Sequence, residues 1–232
     1  MLFYSLRLLI AAAVIPAIWL LTYVYKKDRL EKESASMLLS LIVSGISATF
    51  CAMIAERIGT ALLSLFAAEG SIRFDLLENF IVVALSEEGF KYLFMKKKTW
   101  NSSEFNCQFD GVVYAVFVSL GFAILENILY VFMGGLGTAL VRAVTAIPGH
   151  ACFGVFMGVW YGLAKRFDNA GARAESAAAR KAAVIVPVLM HGAYDFIASM
   201  RQGVLLFIIF VALMFLAAFR LVKQTSENDK YI

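Results

Sequence analysis

Seven stretches of this chain stay apolar for close to the length of a bilayer crossing, which removes most folds from consideration. They fall at approximately 3–25, 36–56, 75–95, 110–133, 138–164, 182–200 and 203–222. At 1.5 Å of rise per residue, about 20 apolar residues cross a hydrocarbon core about 30 Å thick. Lipid offers nothing to a bare N–H or C=O, so each crossing must be a helix. The expected fold is all-α, a polytopic transmembrane helix bundle of about seven spans. Hydrophobic residues make up 61% of the chain and the mean hydropathy is +0.78, where soluble domains are about 45–50% apolar.

The basic residues sort these spans. Lys26, Lys27, Arg29 and Lys32 follow the first, Lys96, Lys97 and Lys98 the third, and Lys165, Arg166, Arg173, Arg180 and Lys181 the fifth. Arg220, Lys223 and Lys230 end the chain, while the alternate connections hold only Arg57 and Arg73, Arg142, and Arg201. By the positive-inside rule the N-terminus lies outside and the C-terminus inside. The apolar core from Leu8 to Tyr25 is long for a signal peptide and is read as a retained span. Arg57 to Phe74 reads as an interfacial helix, and Asp168 to Ala183 as a cytoplasmic linker or short helix. No internal repeat or separate soluble domain stands out, so residues 1–232 form one integral membrane domain. The net charge of +4 sits at the ends of apolar runs, and nothing points to nucleic acid. Cys51, Cys107 and Cys152 form neither a metal-type cluster nor a disulfide framework.

Charges inside the spans carry the functional reading. A charged side chain at membrane depth costs roughly 2.5–3.5 kcal/mol on insertion scales, yet Glu87, Glu88 and Lys91 sit within one span. Glu87 and Lys91 share a helix face and can pair, whereas Glu88 points about 100° away. In the fourth span Asp110-Gly111 precedes a stripe of Phe122, Glu126 and Tyr130, with Asn127 beside it. In the fifth, Pro148 is expected to bend the helix near His150, and Gly154 and Gly158 extend a small-residue face. In the sixth, Pro187 lies one turn before His191, and His191 and Asp195 share a face. Both histidines of the chain thus fall near mid-span, and four helices can present Glu87, Glu88, Glu126, His150 and His191 to one cavity.

Imidazoles and carboxylates are the donors of a catalytic zinc site, which uses three protein ligands and one open position. Zinc lowers the pKa of its bound water to about 7, and a further carboxylate can act as general base. Glu126, His150, His191 and one of Glu87 or Glu88 would supply every part. Asp195 either orients His191 or joins the metal ligands. Lys91 would pair with a carboxylate of the catalytic group Glu87, Glu88 and Lys91. A metal-free glutamate mechanism and a proton-coupled transporter or sensor use the same residue types. Tyr194-Asp195 matches the pair of intramembrane aspartyl proteases, but their Gly-x-Gly-Asp partner is missing.

At these residues the chain resembles the PrsW family of intramembrane proteases, distantly related to the CAAX prenyl proteases and the Abi family. The resemblance rests on Glu87-Glu88-x-x-Lys91, Asp110-Gly111, Phe122-x-x-x-Glu126-Asn127, His150 with Gly154 and Gly158, and His191-x-x-x-Asp195. It covers about residues 75–200. It implies a multi-pass protease of the bacterial cytoplasmic membrane, working among membrane lipid. The implied substrate is a single-pass membrane protein such as an anti-sigma factor, given its first cut in an envelope-stress response. It also implies that Glu87 and Glu88 are needed for activity, with Glu126, His150 and His191 beside them. The residue chemistry adds zinc as the expected cofactor. A CAAX-type protease is the neighbouring alternative.

Overall fold

The computed structural model describes the backbone of residues 2–232 and the side chains of residues 10–12 and 14–232; the side chains of 3–9 in the expected first span lie outside the described residues. The elements are α1 (Leu2–Lys27), α2 (Ala35–Leu63), α3 (Ile72–Leu77), a π-helical segment (Glu78–Ala84), α4 (Leu85–Thr99), α5 (Asp110–Val144), α6 (Ala146–Asn169), α7 (Arg173–Ser199) and α8 (Val204–Glu227). Among the described residues there is no strand beyond one bridge between Cys107 and Tyr231. The fold is a polytopic helical bundle. Five stretches are long and apolar enough to cross a membrane, and one of them, Asp110–Asn169, holds both α5 and α6. The rod Ile72–Thr99 is continuous and carries the expected third span, with its charges turned inward.

The first half of α5 is the axis of the bundle. Every residue from Asp110 to Ala123 is buried, as expected of a helix that is apolar all round and walled by its neighbours. α6, α2 and α1 pack on it. Small residues let the backbones touch: a Cβ on Gly158 would lie 2.4 Å from Val112 Cα, and one on Gly45 would lie 2.1 Å from the Val118 carbonyl. In lipid, such close packing replaces the hydrophobic drive between helices.

Several boundaries differ from the expected ones, each for a local reason. Ser34 caps α2 by accepting the Met37 N–H at 3.1 Å. The helix then runs through Arg57 to Leu63, because nothing in that stretch breaks it. The interfacial helix is replaced by a short connection ending near Gly70, whose φ of +78° needs no Cβ. The linker at 168–183 is mostly the first turns of α7, where alanines favour the helix. Pro148 falls in the first turn of α6, where proline is tolerated and no bend results.

The largest departure is at Gly135, with φ +71° and ψ −162°. The expected connection at 134–137 is instead a break inside α5. Residues 136–144 fold back, so Ala139 packs with Val131. α6 starts only after Thr145.

Candidate active site

α4 brings Glu87, Glu88 and Lys91 into the interior, all three buried. Lys91 Nζ donates to Glu87 Oε2 at 3.0 Å and to Glu88 Oε1 at 2.7 Å. Both carboxylates therefore meet the lysine, since neighbours three and four residues apart on a helix are within reach. This corrects the expectation that Glu88 would point elsewhere. The third ammonium direction faces His150 Nδ1 at 3.0 Å, and Phe122 lies with its ring centroid 4.0 Å from Nζ. An ammonium has three donors and no acceptor. His150 Nδ1 must then accept, which leaves its proton on Nε2.

That Nε2 lies 2.9 Å from Glu126 Oε2. The same oxygen accepts from Arg142 Nη2 at 2.7 Å, while Arg142 Nε donates to Asn127 Oδ1 at 2.9 Å. The guanidinium also covers Tyr130, 3.9 Å from its ring centroid. On the other side, His191 Nδ1 is 2.9 Å from Glu88 Oε1 and 3.9 Å from Glu87 Oε2. Its Nε2 is 3.2 Å from Asp195 Oδ2. Phe153 stacks on the His191 ring at 4.5 Å. One unbroken polar chain thus runs from Arg142 through Glu126, His150, Lys91 and the two glutamates to His191 and Asp195.

This chain borders a cavity of 630 Å³, whose walls include Glu56, Glu87, Glu126, Arg142, His191 and Asp195. Glu88 and Lys91 are wholly buried beside it. The candidate catalytic and metal-ligating residues Glu87, Glu88, Lys91, Glu126, His150, His191 and Asp195 are therefore brought together, but in a specific grouping. Among the described residues, the acidic and histidine side chains whose ligand atoms all lie within 4.8 Å of one another are Glu87, Glu88 and His191. Glu126 and His150 pair with each other across Lys91 from that trio. Asp195 meets His191 on the ring nitrogen that faces away from the glutamates.

The trio fits a cation. Carboxylate and imidazole are donor types of zinc, and three protein ligands are the number a catalytic zinc site uses. Glu88 Oε2 is buried with no partner among the described residues. With the proton on Nε2 and donated to Asp195, the His191 Nδ1 lone pair points at the carboxylates, the arrangement in which an outer carboxylate fixes a ligating histidine.

Arg142 and Glu56 were not read from the sequence as site residues. Arg142 looked like a connection charge, and only the reversal at Gly135 carries it back to Glu126. Glu56 sat at the edge of an expected span and joins the cavity because α2 continues past it.

Comparison with known proteins gives the family. Residues 33–220 match the family described as PrsW family intramembrane metalloprotease. Protease PrsW of Geobacillus kaustophilus strain HTA426 is 36% identical over 226 residues, covering 94% of this chain and 92% of that protein. Protease PrsW of Bacillus subtilis strain 168 is 34% identical over 189 residues, covering 82% of each. Protease PrsW of Clostridioides difficile strain 630 is 31% identical over 208 residues, covering 87% of this chain and 84% of that protein. No solved structure gives a significant match. Likeness over most of the chain to proteins named as proteases favours the hydrolytic reading over the transporter or sensor. With its buried acidic and histidine constellation and its apolar helices, this chain belongs to the PrsW family and is a multi-pass bacterial membrane protease.

Proposed function

We propose that the chain is a zinc-dependent intramembrane endopeptidase in which Glu87, Glu88 and His191 hold the metal. The observation that carries this reading is the convergence of those three side chains, of which Glu87 and His191 line the cavity and Glu88 lies buried beside it. Bound zinc would supply Lewis acidity and a water whose pKa is lowered to about 7. The remaining work falls to the chain's own residues. Glu87 faces the cavity and is placed to exchange a proton with water there. Asp195 holds the His191 ring in one orientation. Lys91 sets the spacing of the two glutamates, and Glu126 with Arg142 fixes His150 behind it.

The whole chain serves as one membrane protease domain. It crosses the bilayer seven times, counting the rod Ile72–Thr99, with the N-terminus outside. Two contacts support this orientation by gathering the basic helix ends on one face. Lys165 Nζ donates to the Trp100 carbonyl, and the Ser226 hydroxyl donates to the Lys27 carbonyl. The membrane is the cytoplasmic one, and the substrate is a single-pass membrane protein of the anti-sigma-factor kind, as the resemblance implies.

Elemental analysis of the detergent-purified protein tests the metal. About one zinc per chain is expected, lost in His191→Ala and retained in His150→Ala, whose ring meets Lys91 and Glu126 instead. Equal loss in both variants would draw His150 into the metal ligands. A specific observation favours a second reading: Lys91 Nζ already bridges the two glutamates, as a metal-free glutamate mechanism would use it. Full cleavage of a reconstituted single-pass substrate after exhaustive chelation, with no metal in the protein, would select that reading.

Arg142 supplies a further test. Arg142→Gln removes one of the two donors to Glu126 Oε2 and is expected to lower kcat about 10-fold with little change in KM. Because Arg142 acts through Glu126, adding Arg142→Gln to Glu126→Gln should cost almost nothing more. Independent, multiplying losses would mean that Arg142 contacts substrate directly.

A further inference from the structure

The motif Asp110-Gly111 takes no part in the cavity. Gly111 is accounted for by packing, since a Cβ there would lie 2.5 Å from the Gly162 nitrogen. Asp110 is half accounted for: its Oδ2 accepts the N–H groups of Asn106 at 3.0 Å and Cys107 at 2.6 Å. Its Oδ1 is buried without a partner among the described residues.

Asp110 is not alone. The connection after α1 carries Asp28, Glu31 and Glu33, and the tail after α8 carries Asp229. That tail is pinned to the connection before α5. Gln108 N–H donates to the Lys230 carbonyl at 2.9 Å, Phe109 N–H to Asp229 Oδ1 at 2.8 Å, and Ile232 N–H to the Asn106 carbonyl at 2.8 Å. Both carboxylate oxygens of Asp28, with Oε2 of Glu33 and Oδ2 of Asp229, are buried and lack a partner among the described residues. Asp28 and Asp110 are each 1% exposed.

Asp28 feels the negative charges of Asp229 and Glu31, and Glu33 those of Asp110, Glu104 and Asp28. Glu31 is engaged by Asn106 Nδ2 at 3.1 Å and Glu104 by the Ser34 N–H at 2.9 Å. The Cys107 thiol is a further neighbour, and Tyr114 faces Glu33. Against these acids stands Lys32, whose ammonium donates to the carbonyls of Tyr25 and Asp28. Burial pushes Asp28 up to about 6 and Glu33 up to about 9. Ionised, this cluster repels itself in a region shielded from water, so the fold gains stability when either a proton or a cation neutralises it.

We propose that Asp28, Asp110 and Asp229 bind a hydrated divalent cation of the Mg²⁺ type, which fastens the end of α1, the start of α5 and the C-terminal tail to one another. Hard carboxylate oxygens suit Mg²⁺ or Ca²⁺. The oxygens here converge less closely than those of the Glu87, Glu88 and His191 trio, which alone meets the 4.8 Å spacing among the described residues. Ligand atoms not all within 4.8 Å of one another call for an ion that keeps part of its water shell, which Mg²⁺ does more readily than Ca²⁺.

The test is thermal unfolding of the full chain in detergent at pH 8, first with chelator and then with MgCl₂. At a concentration about 100-fold above the dissociation constant, Mg²⁺ should raise Tm by roughly 5–10 °C. The rise should vanish in Asp28→Asn and in Asp229→Asn and persist in Glu88→Gln. In chelator, Asp28→Asn should melt above the wild type, because the repulsion is gone. Bound Mg²⁺ should also slow tryptic cleavage after Lys230, a readout open to the wild type if a variant fails to fold. No Mg²⁺ effect on either readout, even where acid stabilises the fold, would overturn the proposal. So would a rise equal in Asp28→Asn, which marks an adventitious ion, or one lost in Glu88→Gln, which assigns the ion to the cavity.

Discussion

Glu87→Gln, which removes the group proposed to transfer a proton, and Glu88→Gln, which removes a proposed metal ligand, are each expected to lower proteolysis by about 10²–10⁴-fold, yet to affect the fold very differently. Glu87 lines the cavity. Its amide replacement still offers Lys91 an oxygen, and water can reach the rest, so Tm should barely move. Glu88 is fully buried, and its Oε1 receives both Lys91 Nζ and His191 Nδ1. Breaking a buried ion pair from one side costs about 3–5 kcal/mol. For a chain of this size that corresponds to a fall in Tm of roughly 10 °C. The comparison needs a cleavage assay and a melting curve on the same detergent preparations. Equal melting temperatures for the two variants would remove the division of labour between a cavity-facing glutamate and an anchoring one.

Gly158→Val should fail for an unrelated reason. It lies two turns beyond His150 on α6 and touches no polar group of the site, but a Cβ there would sit 2.4 Å from Val112 Cα and 2.5 Å from the Gly111 carbonyl. Backbone cannot yield as a side-chain tip does, so α6 would have to move away from α5. Overpacking costs typically about 1–3 kcal/mol, and more where nothing can relax. The expected result is little or no monodisperse protein after extraction. Gly89→Ala is the informative contrast. Although Gly89 adjoins Glu88, nothing lies within 4 Å of its added Cβ, and alanine in a helix interior is favoured over glycine by about 0.5–1 kcal/mol. It should fold as well as the parent and keep the parent's metal content and activity.

These two cases show what the sequence made legible. Glu87, Glu88, Lys91, Glu126, His150 and His191 could be found because each is expensive in an apolar helix, and cost at membrane depth is readable one residue at a time. The small-residue face of α6 was readable for the same local reason. Which groups pair was not, because pairing depends on how four helices rotate against one another. The sequence placed Glu126 with the metal, but Arg142 claims one of its oxygens. That claim depends on the left-handed turn at Gly135, which a run of Gly-Gly-Leu-Gly permits without requiring. Likewise the expected span ended at 56 and an interfacial helix began at Arg57, a boundary that α2 passes straight through to Leu63, since a single charged residue does not end a helix.

The π-helical segment Glu78–Ala84 bears on phase. Its hydrogen bonds span five residues rather than four, so it takes up nearly one residue more per turn than the helices that flank it. Before it, the rod is keyed to α2, where Thr60 Oγ1 donates to Glu78 Oε1 at 2.6 Å. Within it, Phe80 fills the space beside Gly192 on α7. After it come Glu87 and Glu88. An ordinary helix turns about 100° per residue, so with the same sequence and no widened turn, the glutamates would leave the cavity wall while Glu78 still faced α2. The widened turn acts as a vernier. It lets one rod satisfy two neighbours whose demands an even winding would set out of step, and the aim of Glu87 and Glu88 depends on its length being kept.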